Sequence, residues 1–117
     1  MNVLQVQDDI AHLPQIDLEV IHHFSPGMYA RELRIPAGVM LAGALHRTSH
    51  LHVLSQGQIM VNNWNDVSLL TAPYTGETKA GDKRIITALE YSVFTTFHAT
   101  DLTDVDEICK RILGEEL

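Results

Sequence analysis

The chain has 117 residues, of which 45% are hydrophobic and 20% are charged, and its formal net charge is -7 at pH 7. This composition is typical of one ordinary globular domain, and no apolar run reaches the roughly 18 residues that a membrane helix needs. The eight Lys and Arg residues are scattered along the chain, which argues against a nucleic-acid backbone as the main partner.

The amino-terminal 20 residues carry acidic residues early and no basic segment, so they do not resemble a secretory signal. Cys109 is the single cysteine, which excludes a disulfide within the chain and is consistent with a reducing compartment. We therefore expect a cytoplasmic protein.

Short apolar segments separated by Gly, Pro and Asn residues predict many short strands, about 8 to 12 residues apart. The predicted strands are 18–22, 28–35, 39–46, 50–54, 58–62, 67–71, 84–89 and 91–98. Turns are predicted at 25–27, 36–38, 56–57 and 63–66. The polar segment 74–83 is predicted to be a loop, with Lys79 and Lys83 in solvent. Strands do not alternate with helices, so the pattern indicates an all-β sandwich or barrel.

The carboxyl-terminal segment has a helical pattern instead. Its apolar residues recur at helical spacing and are Val105, Ile108, Cys109, Ile112 and Leu113. Thr103 or Asp104 can cap the amino-terminal end of this helix, and Gly114 can end it. An amphipathic helix over about 103–113 is therefore predicted to close one face or edge of the barrel.

Histidines are concentrated around residues 47–49. In one continuous strand His46 and His50 would lie about 13 Å apart, too far for one metal ion. If residues 47–49 form a hairpin loop instead, the two imidazoles face each other across strands about 4.8 Å apart, which suits a shared ion. His98 joins them if the barrel closes beside a late strand. The alternative is that His46 and His52 are half-buried residues hydrogen-bonded to the backbone.

Two charged residues are further candidates for a site. Glu32 could supply a carboxylate to a mixed histidine and carboxylate metal site, or it could be a surface charge paired with Arg31 or Arg34. Arg84 could point inward and bind a carboxylate or phosphate through its planar guanidinium, or it could form a structural ion pair.

The spacing of these residues resembles the two motifs of the cupin superfamily. The first motif reads approximately G-x5-H-x-H-x3-4-E-x6-G, and here His46 falls at the second histidine, His50 at the glutamate and Ala44 at the first histidine. In the second motif, P-x-G-x2-H, Gly81 is present and Arg84 stands at the histidine position. The chain from His22 to His98 also resembles small single-domain cupins of phage and bacterial genomes.

The resemblance implies a cupin-type double-stranded β-helix, a jelly-roll barrel, over about residues 20–100 of a single domain, 1–117. It also implies a divalent metal ion, Fe, Mn, Zn or Ni, held by a modified ligand set of His46, His50 and His98. That set departs from the usual three histidines and one glutamate.

Two functions remain open on this basis. The first is a metal-dependent cupin-type enzyme acting on a small anionic molecule, in which Arg84 orients an acid group. Glu32 or His52 would be the general base, or His52 would orient a metal ligand. The second is a non-catalytic module that binds or senses a small ligand, because Ala44 and Arg84 replace metal ligands. We expect a homodimer in both cases, with no membrane and no nucleic acid as partner.

Overall fold

The computed structural model describes residues 17–43, 48–63 and 66–112, together with Gln5 and Asp9. The strands are β1 (Glu19–Ser25), β2 (Met28–Ile35), β3 (Met40–Ala42), β4 (His50–Gln56), β5 (Gln58–Asn62), β6 (Val67–Thr71), β7 (Tyr74–Thr78), β8 (Ile85–Ala88) and β9 (Ser92–Ala99). One further element, the helix α1 (Val105–Ile112), follows β9. These elements confirm the predicted all-β fold with a carboxyl-terminal helix.

The strands form two antiparallel sheets. The first sheet has the order β1-β2-β9-β4-β7, and the second has the order β3-β8-β5-β6. Strands far apart in the sequence are neighbours, because β9 lies between β2 and β4. This arrangement is a jelly-roll barrel, which confirms the predicted architecture.

The core lies between the two sheets. Because successive side chains of a strand point to opposite faces, each sheet contributes every second residue to it. The buried core residues are Leu33, Ile35, Leu54, Ile59, Val61, Leu70, Ile86, Ala88 and Phe94. They fill one end of the space between the sheets, and polar residues follow them toward the other end.

Most predicted strands are confirmed to within a few residues, and β2, β5 and β6 match their predicted bounds. The predicted loop at 74–83 is wrong, because Tyr74–Thr78 forms β7 and pairs with β4. This strand is at the edge of its sheet, so a polar, glycine-containing sequence suits it. Lys83 is also buried, at 4% exposed, and not solvated as predicted.

The strand pairing of the described residues contradicts the predicted hairpin at residues 47–49. β3 pairs with β8 in the second sheet, whereas β4 pairs with β7 and β9 in the first. The connection from Gly43 to Ser49 therefore joins two sheets and not two neighbouring strands. Ala44, His46 and Arg47 lie outside the described residues, as does the predicted extension of β3 toward His46.

The helix α1 begins at a capped amino-terminal end, since the Asp104 side-chain oxygen Oδ1 accepts the backbone N–H of Glu107 at 3.1 Å. This confirms Asp104 as the cap. Ile108 is buried against Tyr29 of β2, with Leu102 and Cys109 beside it. The helix therefore covers one edge of the barrel. Within the described ranges, no helix has the length and apolarity that crossing a membrane requires.

Candidate functional site

A pocket of about 220 Å³ opens between the two sheets beside α1. Its apolar wall includes Leu33, Leu41, Ile86, Phe94 and Ile108. Its polar lining is Arg31, His50, Thr78, Asp82, Arg84, Thr96 and His98. Ligand sites are commonly apolar with a few convergent polar groups, so this pocket is the candidate functional site.

Strand pairing arranges these residues in rows across the first sheet. One row holds Tyr29, His98, His50 and Thr78 on β2, β9, β4 and β7. The next row holds Arg31, Thr96, His52 and Gly76 on the same strands, and the row after it is Leu33, Phe94, Leu54 and Tyr74. All three rows share one face, because residues two apart in a strand point to the same side. The site therefore continues the core face of the sheet.

His50 and His98 are adjacent at the centre of the first row. Their ring centroids are 4.6 Å apart, with 40° between the ring planes. Burial lowers the pKa of His50, and it lowers the pKa of His98 to about 4. Both rings are therefore neutral at pH 7. The barrel brings these two predicted ligands together, although the role of a metal ligand stays a prediction.

His98 is held by its neighbours on β2 and β9. Its Nε2 lies 2.9 Å from the Thr96 hydroxyl, and its ring stacks on Tyr29 at a centroid distance of 5.9 Å. The Tyr29 hydroxyl in turn lies 2.7 Å from Nδ1 of His22, and burial raises the pKa of that hydroxyl. These contacts fix the His98 ring at the pocket wall.

His52 is buried behind the pocket and does not line it. Its Nδ1 lies 2.9 Å from the Thr78 hydroxyl, and its ring packs against Phe94 and Tyr74. Gly76 lies opposite on β7, where a Cβ atom would come within 2.8 Å of Nε2 of His52. The predicted role of His52 as general base is therefore not supported by the pocket lining, and it stays a prediction. Its contact with Thr78 makes it a residue that orients the pocket wall.

Arg84 lines the pocket from the connection between β7 and β8. Its Nη1 donates to the Thr78 hydroxyl oxygen at 2.7 Å. Burial lowers the pKa of the guanidinium, while Asp82 and Tyr74 act in the opposite direction. An arginine remains charged in proteins even so. The predicted inward orientation is thus observed, and its alternative, a structural ion pair, is absent within the described part of the chain.

Arg31 is a second pocket arginine, which the sequence analysis considered only as a partner for Glu32. It is half-buried on β2, opposite Thr96, and forms no ion pair with a described carboxylate. Its alternation with Leu33 and Ile35 places it on the inner face and was the signal available in the sequence. Thr78 and Thr96 were also missed, since a hydroxyl residue in a strand has no distinctive pattern.

Glu32 points away from the pocket. It follows Arg31 directly in β2, so its side chain lies on the outer face of the sheet. Its Oε2 accepts from Arg34 Nη2 at 2.7 Å, and its Oε1 lies 3.0 Å from His23 Nε2. The predicted catalytic or ligand role of Glu32 is therefore wrong. The alternative, a surface charge paired with Arg34, is confirmed.

The described residues supply only part of a metal site. Nowhere in the described ranges do three or more His, Cys, Asp or Glu residues form a group that could hold an ion. His50 and His98 offer two neutral imidazoles, which are suitable donors for a divalent metal. His46, the third predicted ligand, lies outside the described residues. The three-histidine set therefore stays a prediction.

A scan against protein-family models and a search of curated proteins each found no match. Solved structures do match. A cupin superfamily protein from Desulfitobacterium hafniense has a TM-score of 0.62 at 10% identity, over 77% of this chain and 84% of that chain.

Two further structures have the same fold. KdgF from a Halomonas species has a TM-score of 0.57 at 16% identity, over 71% of this chain and 79% of that chain. Salicylate 1,2-dioxygenase from Pseudoaminobacter salicylatoxidans, solved as adducts with gentisate, has a TM-score of 0.66 at 14% identity, over 97% of this chain but 35% of that chain. These likenesses show that the chain has a cupin-type jelly-roll fold.

Proposed function

We propose that this chain binds a small anionic molecule in the pocket between its sheets. The observation that carries the proposal is that Arg31 and Arg84 both line the pocket, and neither has a carboxylate oxygen within 4.0 Å among the described residues. A partly buried guanidinium without a directly paired carboxylate is unfavourable. The chain is rich in carboxylates, yet none of the described ones pairs with either arginine. We therefore take an anionic ligand to be the partner of the two guanidiniums.

The rest of the pocket suits an organic anion. Neutral His50 and His98 and the hydroxyls of Thr78 and Thr96 can exchange hydrogen bonds with it. The apolar wall can cover a carbon skeleton. One structural neighbour is named for salicylate and was solved with gentisate, and both molecules are small aromatic carboxylates. That neighbour supports the chemical class of ligand proposed for this chain.

Calorimetry and thermal unfolding with salicylate test the proposal, with uncharged salicylamide as the matched probe and a chelator present. We expect salicylate to bind and raise the unfolding temperature, because a ligand that binds only the folded state stabilises it. Salicylamide should bind at least about tenfold more weakly, since it lacks the charge that the arginines attract. Equal binding of both probes, or of neither, would contradict the proposal.

The His50 and His98 pair favours a second candidate function, a divalent metal site for an enzyme. When bound, a metal ion would polarise a carbonyl or activate water or O2. His50 and His98 would hold the ion, with His46 as the predicted third ligand, and Arg84 would orient the anionic substrate. Glu32 and His52 have no part in this version, because neither lines the pocket.

Elemental analysis of freshly purified protein tests the metal site. We expect about one divalent ion per chain, and its loss when His50 and His98 are both replaced by Ala. His23 is exposed on β1 and on the outer face, and its replacement by Ala is the control. Metal retained in the His50 and His98 variant would eliminate this candidate and leave the anion site standing.

The cytoplasmic location, the homodimer and the single domain over residues 1–117 are further proposals. The outer face of the second sheet exposes Met40, Leu69 and Val67, which supports pairing of two copies through an apolar sheet surface. Light scattering at micromolar concentration should give the mass of a dimer. A monomeric mass would contradict that proposal.

A further inference from the structure

We infer that the ligand of this pocket carries two anionic groups, one bound at Arg31 and the other at Arg84, so that its chemical class is a short dicarboxylate. The inference rests on the proposed function and adds the number of charges and their separation. It is supported by the strands from which the two arginines enter the pocket and by the residues that lie between them.

The two arginines enter the pocket from opposite ends of the first sheet. Arg31 belongs to β2, and the Arg84 guanidinium is hydrogen-bonded to Thr78 of β7 at 2.7 Å. Strands β9 and β4 lie between β2 and β7, and three strand spacings amount to about 14 Å. The bond to Thr78 anchors Arg84 on the β7 side of the pocket. Because the arginine side chains themselves cover part of this distance of about 14 Å, a short molecule with an anionic group at each end can contact both guanidiniums.

Each arginine acts electrostatically on a different member of the histidine pair. Beyond burial, the charge of Arg84 contributes to lowering the pKa of His50. Burial and His50 are the larger causes for His98, and there the further contributing charge is Arg31. These contributions agree with the strand order, in which Arg31 lies on β2 beside β9, and Arg84 contacts β7 beside β4.

Between the two arginines, the described lining of the pocket is mostly apolar and includes no further cationic side chain. Leu33 and Phe94 of the first sheet and Ile86 of the second line it. Asp82 is the pocket carboxylate, but its Oδ2 accepts the backbone N–H of Lys79, and it lies beyond ion-pair distance of Arg84. A molecule with charged ends and an apolar middle fits this distribution.

The pocket volume limits the length of that molecule. The pocket volume of about 220 Å³ is near the small end of the range for ligand sites. Dicarboxylates with about four or five carbons have about eight or nine non-hydrogen atoms and belong to the small ligands that such a pocket favours.

The decisive comparison is between glutarate and pentanoate, which have the same carbon chain and differ in one carboxylate. Calorimetry on the unsubstituted protein should show glutarate binding about ten- to a hundredfold more tightly, because only glutarate engages both guanidiniums. The variants Arg31→Gln and Arg84→Gln should each reduce glutarate affinity to the level of pentanoate. Arg34→Gln, on the outer face of the same strand as Arg31, is the matched control and should leave both affinities unchanged.

Three outcomes would overturn the inference and separate it from the proposed function. Equal affinities for glutarate and pentanoate, or dependence on only one of the two arginines, would mean a single anion position, and the proposed function would stand. Binding of salicylate without binding of glutarate would have the same meaning. If none of the three acids binds, the proposed function and this inference both fail. The first comparison needs no variant, so a poorly folded variant cannot obscure it.

Discussion

The two faces of strand β2 hold their charges in opposite ways. On the outer face, Glu32 accepts from Arg34 at 2.7 Å and lies 3.0 Å from His23. On the inner face, Arg31 is the adjacent residue, yet no described carboxylate pairs with it. The outer charges are matched within the chain and stabilise the sheet weakly, whereas the inner charge is available to a ligand. The alternation of the strand thus separates structural charges from functional ones.

The largest expected effect comes from removing an inner charge. Arg84→Met should weaken salicylate binding about ten- to a hundredfold, because a charged hydrogen bond is worth roughly 1.5 to 3 kcal/mol. The free energy of unfolding should change little, since the removed charge is partly buried and has no described carboxylate within ion-pair distance. Arg34→Met, the outer counterpart, should leave binding unchanged. Calorimetry measures the salicylate affinity, and urea unfolding measures the free energy of unfolding. Equal effects of Arg84→Met and Arg34→Met on affinity would show that the inner and outer arginines do not differ in ligand binding.

The next effect comes from the hydroxyl that anchors Arg84. Thr78→Val should destabilise the fold by about 1 to 3 kcal/mol, because Nδ1 of the buried His52 loses its partner. Salicylate affinity should fall by several-fold, since Arg84 also loses its contact with Thr78. Thr75→Val, at an exposed position of the same strand, is the control. Unchanged urea midpoints and affinities for both variants would show that Thr78 anchors nothing.

A third test asks how closely the inner face is packed. Gly76→Ala should cost about 1 to 3 kcal/mol, because the new Cβ would lie 2.8 Å from Nε2 of His52 and 2.8 Å from a ring carbon of Tyr74. Salicylate affinity should fall with it, as the displaced His52 disturbs Thr78. Thermal unfolding and calorimetry give the two values. A neutral variant would indicate that His52 can move without affecting the pocket.

The smallest effect belongs to the outer face and depends on pH. The hydrogen bond to His23, and then those to Arg34, hold the pKa of Glu32 below its ordinary value of 4.5. The stability contributed by this carboxylate is therefore present above pH 4.5 and is lost as the pH falls through the lower folded-state value. Glu32→Gln should cost less than about 1 kcal/mol at pH 7 and flatten the acid side of the profile. Urea unfolding between neutral and acid pH measures this, and parallel profiles for both proteins would refute it.

The sequence predicts the fold better than the site for a physical reason. Strands β2, β5 and β6 and the Asp104 cap follow from local patterns, and local patterns can be read in one chain. Edge strand β7 was missed because its polar sequence reflects its place in the sheet. The pairing of β4 with β9, which places His50 beside His98, joins segments that no local pattern connects.

The site residues divide in the same way. Alternation with Leu33 and Ile35 is sufficient to place Arg31 inside and Glu32 outside, so that error was avoidable. The position of His52 behind Thr78 was not predictable, because it depends on the absence of a side chain at Gly76 on the neighbouring strand.

The hydroxyl of Thr78 has one hydrogen and two neighbours, and this has a consequence for detecting ligands. Its oxygen accepts from Arg84, so its hydrogen is available either to Nδ1 of His52 or to a bound anion. In the first case His52 carries its hydrogen on Nε2, and in the second on Nδ1, from which it donates to Thr78. The tautomer of His52, visible in the nitrogen chemical shifts of the ring, therefore reports whether an anion has taken the Thr78 hydrogen bond, although His52 does not line the pocket.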